Sequence, residues 1–505
     1  MQPDLKRKVV KNASANLIRL AGSGIIALVL PPFLVRMLPR ETYATWALLL
    51  QLTAYLAYLD FGIQTAVARF VAHTDELNDT DQRNRIVSTS LLLLSLAAVF
   101  GCAVVAVLTW QLPHLFRQMP ASLYGPARLA LAFMGVSFAL GLPVSAIHAL
   151  FVGFQKNEVP VVLSIANKVA MALLVGVVVV KHRGLGAMGA AVAVANLLSY
   201  VGAYAALRSW ASDVKVRISH LSKAVARQIA GYSSSVVVWM LAMLMISGLD
   251  LSIVAFFDYR STAYYAIALT LTTFVAQAQG AIFAALLPAS AVLGARADAR
   301  QLGNLLVSST RYGMLLLLAA AVPLVFAGHY VIRIWAGPDY AQHGTLILQV
   351  LVIANVIRLS ALPYSTLLLG TGQQNKVIIS PLAEGFTNLV ASVAGAYFIG
   401  AVGVALGTLV GSFVSIGMHL FYNMPRTAMI IIDRARLIKE ALLRPALCIL
   451  PFSLLLFLRF IDPILASQAR LSLSTLATIG SGLLFWNYGL IGLERRKLAH
   501  ALRLL

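Results

Sequence analysis

Apolar side chains in this chain come in long, nearly unbroken blocks separated by short polar connections, without the strict alternation that marks a half-buried strand. A bilayer core about 30 Å thick takes roughly 20 helical residues to cross. Blocks of that length predict fourteen transmembrane helices, at about 13–36, 44–72, 86–110, 127–153, 159–180, 185–207, 229–257, 262–290, 306–331, 345–370, 377–398, 400–422, 438–459 and 471–491. They are too long for strands and lack the dyad pattern of an outer-membrane barrel, so the predicted class is an all-α polytopic membrane protein. Lys6, Arg7, Lys8 and Lys11 before the first block resemble a signal-peptide n-region, yet the block is too long and no A-x-A site closes it. It is read as a retained helix, bent or broken near its end by Pro31-Pro32.

Composition agrees with the blocks. Hydrophobic residues make up 60% of the 505, charged residues only 11%, and the mean hydropathy is +0.85; soluble domains carry about a quarter charged residues. Within the few charges, 39 Lys and Arg face 18 Asp and Glu, a net charge of +21. Most of that surplus is topological: connections on the side of the N-terminus hold 26 basic residues and those on the other side ten, among them Arg40, Lys181 and Arg260. The asymmetry predicts that both termini are cytoplasmic. The Asn-x-Ser/Thr matches at Asn12 and Asn78 then lie on the side where glycosylation does not occur. Cys102 and Cys448 sit in apolar runs, leaving neither a disulfide framework nor a thiolate metal site to consider.

Short matches recur at offsets of 214 to 222 residues. Leu142-Pro143-Val144-Ser145 answers Leu362-Pro363-Tyr364-Ser365, Gln155-Lys156-Asn157 answers Gln373-Gln374-Asn375, and Gly186-Ala187-Met188-Gly189 answers Gly400-Ala401-Val402-Gly403. Helices four to six thus pair with ten to twelve. A shift of six preserves direction, so the halves are expected to be parallel repeats. The organisation this predicts is an N-tail (1–12), a six-helix lobe (13–207), a connector (208–228), a second six-helix lobe (229–422), a connector (423–437), helices thirteen and fourteen (438–491) and a tail (492–505).

Enzymatic motifs are lacking. Gly184-x-Gly186-x-x-Gly189 lies between two membrane helices with no strand before it, and the chain has neither a Walker A motif nor H-E-x-x-H. The nine His show no ligand spacing. Charge inside the spans is what stands out, because it costs about 2.5–3.5 kcal/mol per residue on insertion scales and usually faces a cavity or a partner. With the residues near block ends, Arg311 among them, counted with the connections, three basic residues, Arg19, Lys168 and Arg358, and three acidic ones, Asp60, Asp250 and Glu384, are left within the spans. The plain reading of each is an ion pair, a cap or a side chain reaching for the interface. The functional reading is an anion site for the basic set and a proton or cation site for the acidic set. Lys168 and Glu384 occupy nearly equivalent repeat positions, which suggests a pair facing across the bundle.

The basic N-tail before a helix with an internal Arg, followed by Pro39-Arg40-Glu41-Thr42-Tyr43-Ala44-Thr45-Trp46 and Leu59-Asp60-Phe61-Gly62-Ile63-Gln64-Thr65-Ala66-Val67-Ala68-Arg69, resembles the Wzx-type flippases. These are polysaccharide transporters of the multidrug/oligosaccharidyl-lipid/polysaccharide exporter superfamily. The fourteen blocks and the Gly153-x-Gln155-x-Asn157-x-Val159 stretch share the likeness. The resemblance implies two six-helix lobes around a cavity that alternates between the faces of the bacterial inner membrane. It implies a cargo of polyprenyl-pyrophosphate-linked oligosaccharide for O-antigen, capsule or exopolysaccharide synthesis. It further implies membrane lipids, a polysaccharide polymerase and chain-length proteins as partners, with no nucleic acid. Arginine binds phosphate oxygens bidentately, so Arg19 and Arg358, with Lys168 second, are the expected pyrophosphate ligands. No cofactor is implied beyond a coupling ion, proton or sodium, for which Asp60, Asp250 and Glu384 are candidates, and helices thirteen and fourteen are expected to offer a groove to the lipid tail. Two alternatives remain: a cation-coupled multidrug antiporter of the same superfamily, which wants an acidic cavity, and a membrane glycosyl polymerase. The second would need a large outward loop, and the connections at 111–126 and 332–344 are short.

Overall fold

The computed structural model describes residues 22, 24–284, 286–427, 429–431, 433–461 and 470–489, and among them helix is the only regular structure. The principal helices are α1 (Gly24–Met37), α2 (Arg40–Ala54), α3 (Ile63–Glu76), α4 (Thr80–Leu115), α5 (Ala121–Gly153), α6 (Glu158–Val180), α7 (Gly184–Trp210), α8 (Lys223–Met243), α9 (Asp250–Phe257) and α10 (Thr262–Phe283). They continue with α11 (Leu286–Ala295), α12 (Ala299–Trp335), α13 (Pro338–Leu359), α14 (Leu362–Gly370), α15 (Ile379–Met418), α16 (Arg444–Ile461) and α17 (Arg470–Leu484). Among the described residues eight helices are long and apolar enough to cross a bilayer, and ten when each of two bent pairs counts as one span.

Every predicted block finds helical residues, but blocks and helices are not one to one. The block 44–72 divides into α2, a 3-10 turn at Tyr55–Asp60 and α3, which bend by 42°. The cause is local: Phe61 (φ 50°) and Gly62 (φ 76°) both take left-handed backbone, and a Cβ on Gly62 would sit 2.6 Å from Val236 Cγ1. Only glycine adopts that conformation freely with a neighbour so close. Conversely, the blocks 377–398 and 400–422 run together as α15, turning at Ile399 and Gly400, whose φ of 63° and ψ of −141° suit glycine alone. The Pro31-Pro32 pair does not break α1, which is helical from Gly24 to Met37. Two adjacent prolines cost backbone donors, but their φ near −65° fits a helix.

The chain forms two compact units. One comprises residues 1–266 with 392–404, the other 267–391 with 405–505. In the first, Val67 and Val71 of α3, Leu150 and Phe151 of α5 and Ile229 of α8 make one buried cluster. Close approach is built into α5 and α7, since a Cβ on Gly189 would lie 2.5 Å from Ala130 Cα. In the second, Leu302 and Leu306 of α12 pack with Tyr364 and Leu367 of α14 and with Leu437 and Ala441.

Both halves of the chain repeat the same turns. Asn78 (φ 54°) precedes Asp79, whose side chain accepts from Gln82 N at 2.9 Å to open α4; Ala297 (φ 53°) precedes Asp298, which accepts from Gln301 N at 2.9 Å to open α12. Later, Lys156 N donates to Phe151 O and Gln373 N to Leu368 O, both at 2.9 Å, closing α5 and α14 with the same left-handed motif. In that motif Gln155 matches Gly372 and Lys156 matches Gln373, one residue away from the alignment of identical letters. The backbone, not the side chains, keeps the register.

Candidate functional site

Arg19 lies outside the described residues. Lys168 is exposed on α6, on the face that continues at four-residue steps through Ala172, Gly176 and Val180. That face and α1 enclose an apolar groove of about 630 Å³ lined by Ile25, Val29, Phe33, Leu173 and Gly176, with Lys181 at one end.

Deeper in the first unit the polar contacts are neutral. Asn167 of α6 donates to Asn196 of α7 (3.1 Å), Asn196 donates to Ser137 Oγ of α5 (3.0 Å), and Tyr200 donates to the Ser137 carbonyl (2.9 Å). Three helices are tied by this chain. Such interhelical bonds in a bilayer are each worth about 0.6 kcal/mol, rarely above 2.

The corresponding helices of the second unit carry charge. Arg358 of α13 is half-buried and donates to Asn355 Oδ1 at 2.9 Å. Glu384 of α15 is 7% exposed, hydrogen-bonds Ser415 and lies within electrostatic range of Arg358. Glu384 is one of a four-residue series on α15, Ser380, Glu384, Asn388 and Ser392, all buried, and the return arm of α15 answers with buried Thr408, Ser412 and Ser415. A Cβ on Gly411 would meet Asn388 Cβ at 2.8 Å, so the two arms touch along this seam. The charge reaching Glu384 thus comes from its own unit. The polar period of four within an apolar block was available in the sequence and marks a helix face buried against another polar face.

Arg311, counted from the sequence with the connection before α12, is wholly buried inside that helix, its guanidinium 4.9 Å from the ring centroid of Tyr312. Because α12 begins at Ala299, Arg311 is three turns into it. Near the end of α15, a π turn at His419–Asn423 lets Asn423 Nδ2 and His419 Nδ1 meet at 2.8 Å, with the His419 ring edge-on to Tyr364 and the Tyr364 hydroxyl 2.6 Å from Thr427 Oγ1.

The other two acidic residues stand at bends. Asp60, 8% exposed, accepts the backbone N–H of Gln64 at 3.1 Å, capping the first turn of α3 across the kink. Asp250, also buried, accepts from the Tyr265 hydroxyl at 3.3 Å where α9 restarts after a π turn at Leu244–Gly248. That turn frees the Gly248 carbonyl, which takes hydrogen bonds from Gln51 (2.7 Å) and Tyr55 (2.6 Å) of the α2 region. At Asp60 the charge that the sequence read in the membrane also satisfies interrupted backbone, whereas the bond seen at Asp250 is to a side-chain hydroxyl.

The fold recurs in solved membrane transporters. An inward-facing multidrug resistance MATE family transporter of the MOP superfamily superposes with a TM-score of 0.68 at 13% identity, over 82% of this chain and 98% of that one. The lipid II flippase MurJ, in an inward closed conformation, gives 0.71 at 12% identity over 95% of this chain and 99% of its own. A MOP superfamily transporter from Pyrococcus furiosus, noted for the reversed polarity of its binding pocket, gives 0.55 at 15% over 84% and 96%. No curated protein matches the sequence. At these identities the likeness is one of fold, and the assignment by sequence rests on residues 9–293, which match a family described as polysaccharide biosynthesis protein. With more than half of its length in that match, this polytopic, all-helical chain belongs to the polysaccharide biosynthesis protein family.

Proposed function

We propose that this protein is a flippase that carries polyprenyl-pyrophosphate-linked oligosaccharide across the bacterial inner membrane by alternating access, with both termini in the cytoplasm, for the assembly of a surface polysaccharide. The observation that carries the reading is the family match together with the position of Arg358, a guanidinium half-buried in the last turn of α13, inside the apolar block predicted at 345–370 and beside polar groups of its own unit. A pyrophosphate entering a low-dielectric cavity needs such a cation, and arginine supplies it with a fork that fits two phosphoryl oxygens. Arg19 and Lys168 complete the cationic set from the first half of the chain. Glu384, in the same unit, lies within electrostatic range of that arginine. We assign ion coupling to it, because binding an anion at Arg358 changes the field that Glu384 feels. Asp60 and Asp250 serve the bends.

The test is translocation in reconstituted vesicles. Full-length protein is expected to move a fluorescent polyprenyl-pyrophosphate oligosaccharide between leaflets, and Arg358→Ala or Arg19→Ala to abolish that movement while the protein still inserts. Wild-type rates in both variants overturn the cation assignment. Gradient-driven uptake of organic cations, without movement of the lipid-linked sugar, favours the multidrug antiporter instead. Collapsing the proton and sodium gradients separately identifies the coupling ion.

A further inference from the structure

At the end of α2 where its chain enters, a polar pocket of about 310 Å³ opens between the first turn of α2, the connection from α4 to α5 and the turn before α10, lined by Arg40, Glu41, Gln118, Tyr259 and Arg260 among others. Its volume falls in the range of small-molecule sites, about 300–1,000 Å³. All of its lining belongs to the first unit.

The walls are fixed before any ligand arrives. The Gln118 amide bridges two backbone groups, donating to Phe257 O at 2.9 Å and accepting from Tyr259 N at 3.1 Å. The Tyr259 hydroxyl lies 2.5 Å from Thr45 Oγ1 and 3.3 Å from the Glu41 carbonyl. Arg40 is held along one edge, donating from Nη1 to the Tyr264 hydroxyl (2.7 Å) and from Nη2 to Glu41 Oε1 (2.9 Å). A guanidinium has five N–H donors, so among the described residues three of Arg40's remain free. Arg260, exposed at the rim, has no hydrogen-bond or ionic partner among the described residues. Two arginines against one carboxylate leave the lining with a single positive charge, and both arginines border the same space. A guanidinium held in place by two hydrogen bonds, with a second arginine lining the same pocket, is the chemistry that binds a phosphoryl group.

We propose that this pocket is a phosphoryl-binding subsite that takes the phosphate or pyrophosphate head group of a prenyl lipid on the membrane face opposite the N-terminus. The lipid source rests on the flippase reading; the anion chemistry does not. The pocket shares no residue with Arg358 and belongs to the other unit, so it gives the head group a second, separate place to rest.

Binding is measured on the full-length protein in detergent, with inorganic pyrophosphate as one probe and a fluorescent polyprenyl pyrophosphate as the other. Arg260→Gln is expected to weaken binding about tenfold and the Arg40→Gln/Arg260→Gln pair about a hundredfold, each with unchanged thermal unfolding. Arg40→Lys, which keeps the charge and loses the fork, is expected between wild type and Arg40→Gln. Equal affinity for the two probes supports a site for the free anion, and at least tenfold tighter binding of the lipid supports the head group. Unchanged affinity for both probes in the double variant, or no binding by the wild type, overturns the subsite. Arginine-dependent binding without translocation by the wild type leaves the subsite standing and counts against the flippase reading. Translocation by a protein whose binding ignores both arginines does the reverse.

Discussion

The Asp258 carboxylate accepts a hydrogen bond from the backbone N–H of Ala401 at 3.2 Å, immediately after the point where Gly400 turns α15 back on itself. Asp258 comes from the turn between α9 and α10, so one side chain joins two hairpin ends that are far apart in sequence. A Cβ on Gly400 would lie 2.6 Å from Asp258 Oδ2, and the φ and ψ there are open to glycine alone. Gly400→Ala is therefore expected to lower stability by about 1–3 kcal/mol. Asp258→Asn, which keeps an oxygen acceptor, is expected to cost less than 1 kcal/mol. Thermal unfolding in detergent checks both, and equal midpoints for wild type and Gly400→Ala contradict the strain.

Arg358 and Glu384 give a prediction that separates stability from transport. Removing the guanidinium alone leaves a buried carboxylate without its cation, a change that costs about 3–5 kcal/mol for closely paired groups and less at longer range. Arg358→Met is thus expected to unfold at a lower temperature than wild type, by less than a close ion pair would cost. The Arg358→Met/Glu384→Gln pair, in which neither charge is left alone, is expected to recover most of the loss. Translocation is expected to stay absent in both. A double variant that transports at the wild-type rate shows that the arginine served only the fold.

How much of this was legible in the sequence differs by element. The all-helical membrane class and the apolar stretches that carry Lys168, Arg358, Asp60, Asp250 and Glu384 follow from hydropathy and counting, because twenty apolar residues have one physical use, but the fourteen blocks outnumber the eight to ten spans among the described residues. The bend at Phe61-Gly62 could have been read from Asp-Phe-Gly inside an apolar run, where glycine is the residue that admits left-handed backbone. Arg311, five residues into the block 306–331, reads as part of the connection although α12 has run since Ala299, because hydropathy averages cannot tell a helix that projects past the bilayer from one that stops at its edge. The seam of Ser380, Glu384, Asn388 and Ser392 was missed because each residue is mildly polar alone; only their four-residue spacing distinguishes them. The pocket at Arg40 and Arg260 joins residues more than two hundred positions apart, and no local pattern announces it.

The neutral network of the first unit should behave as one object. Asn196 both accepts from Asn167 and donates to Ser137, so Asn196→Ala leaves two partners unanswered. The expected loss is about 1 kcal/mol, with Asn167→Ala adding little once Asn196 is gone. Unfolding of the two single variants and the pair measures the coupling, and strictly additive losses contradict the chain of bonds.

Asp60 separates two roles that a membrane carboxylate can have. Its observed contact is a cap, accepting from Gln64 N where α3 resumes after the kink. Asparagine caps about as well as aspartate, whereas alanine in place of either costs about 1 kcal/mol. Asp60→Asn is therefore expected to unfold with wild type, and Asp60→Ala several tenths to 1 kcal/mol earlier. In vesicles, Asp60→Asn is expected to keep the wild-type response to a collapsed ion gradient, while Glu384→Gln loses it. The opposite pattern, a stable Asp60→Asn that no longer responds to the gradient, moves ion coupling from Glu384 to the kink, since the only property that substitution removes is the ability to exchange a charge.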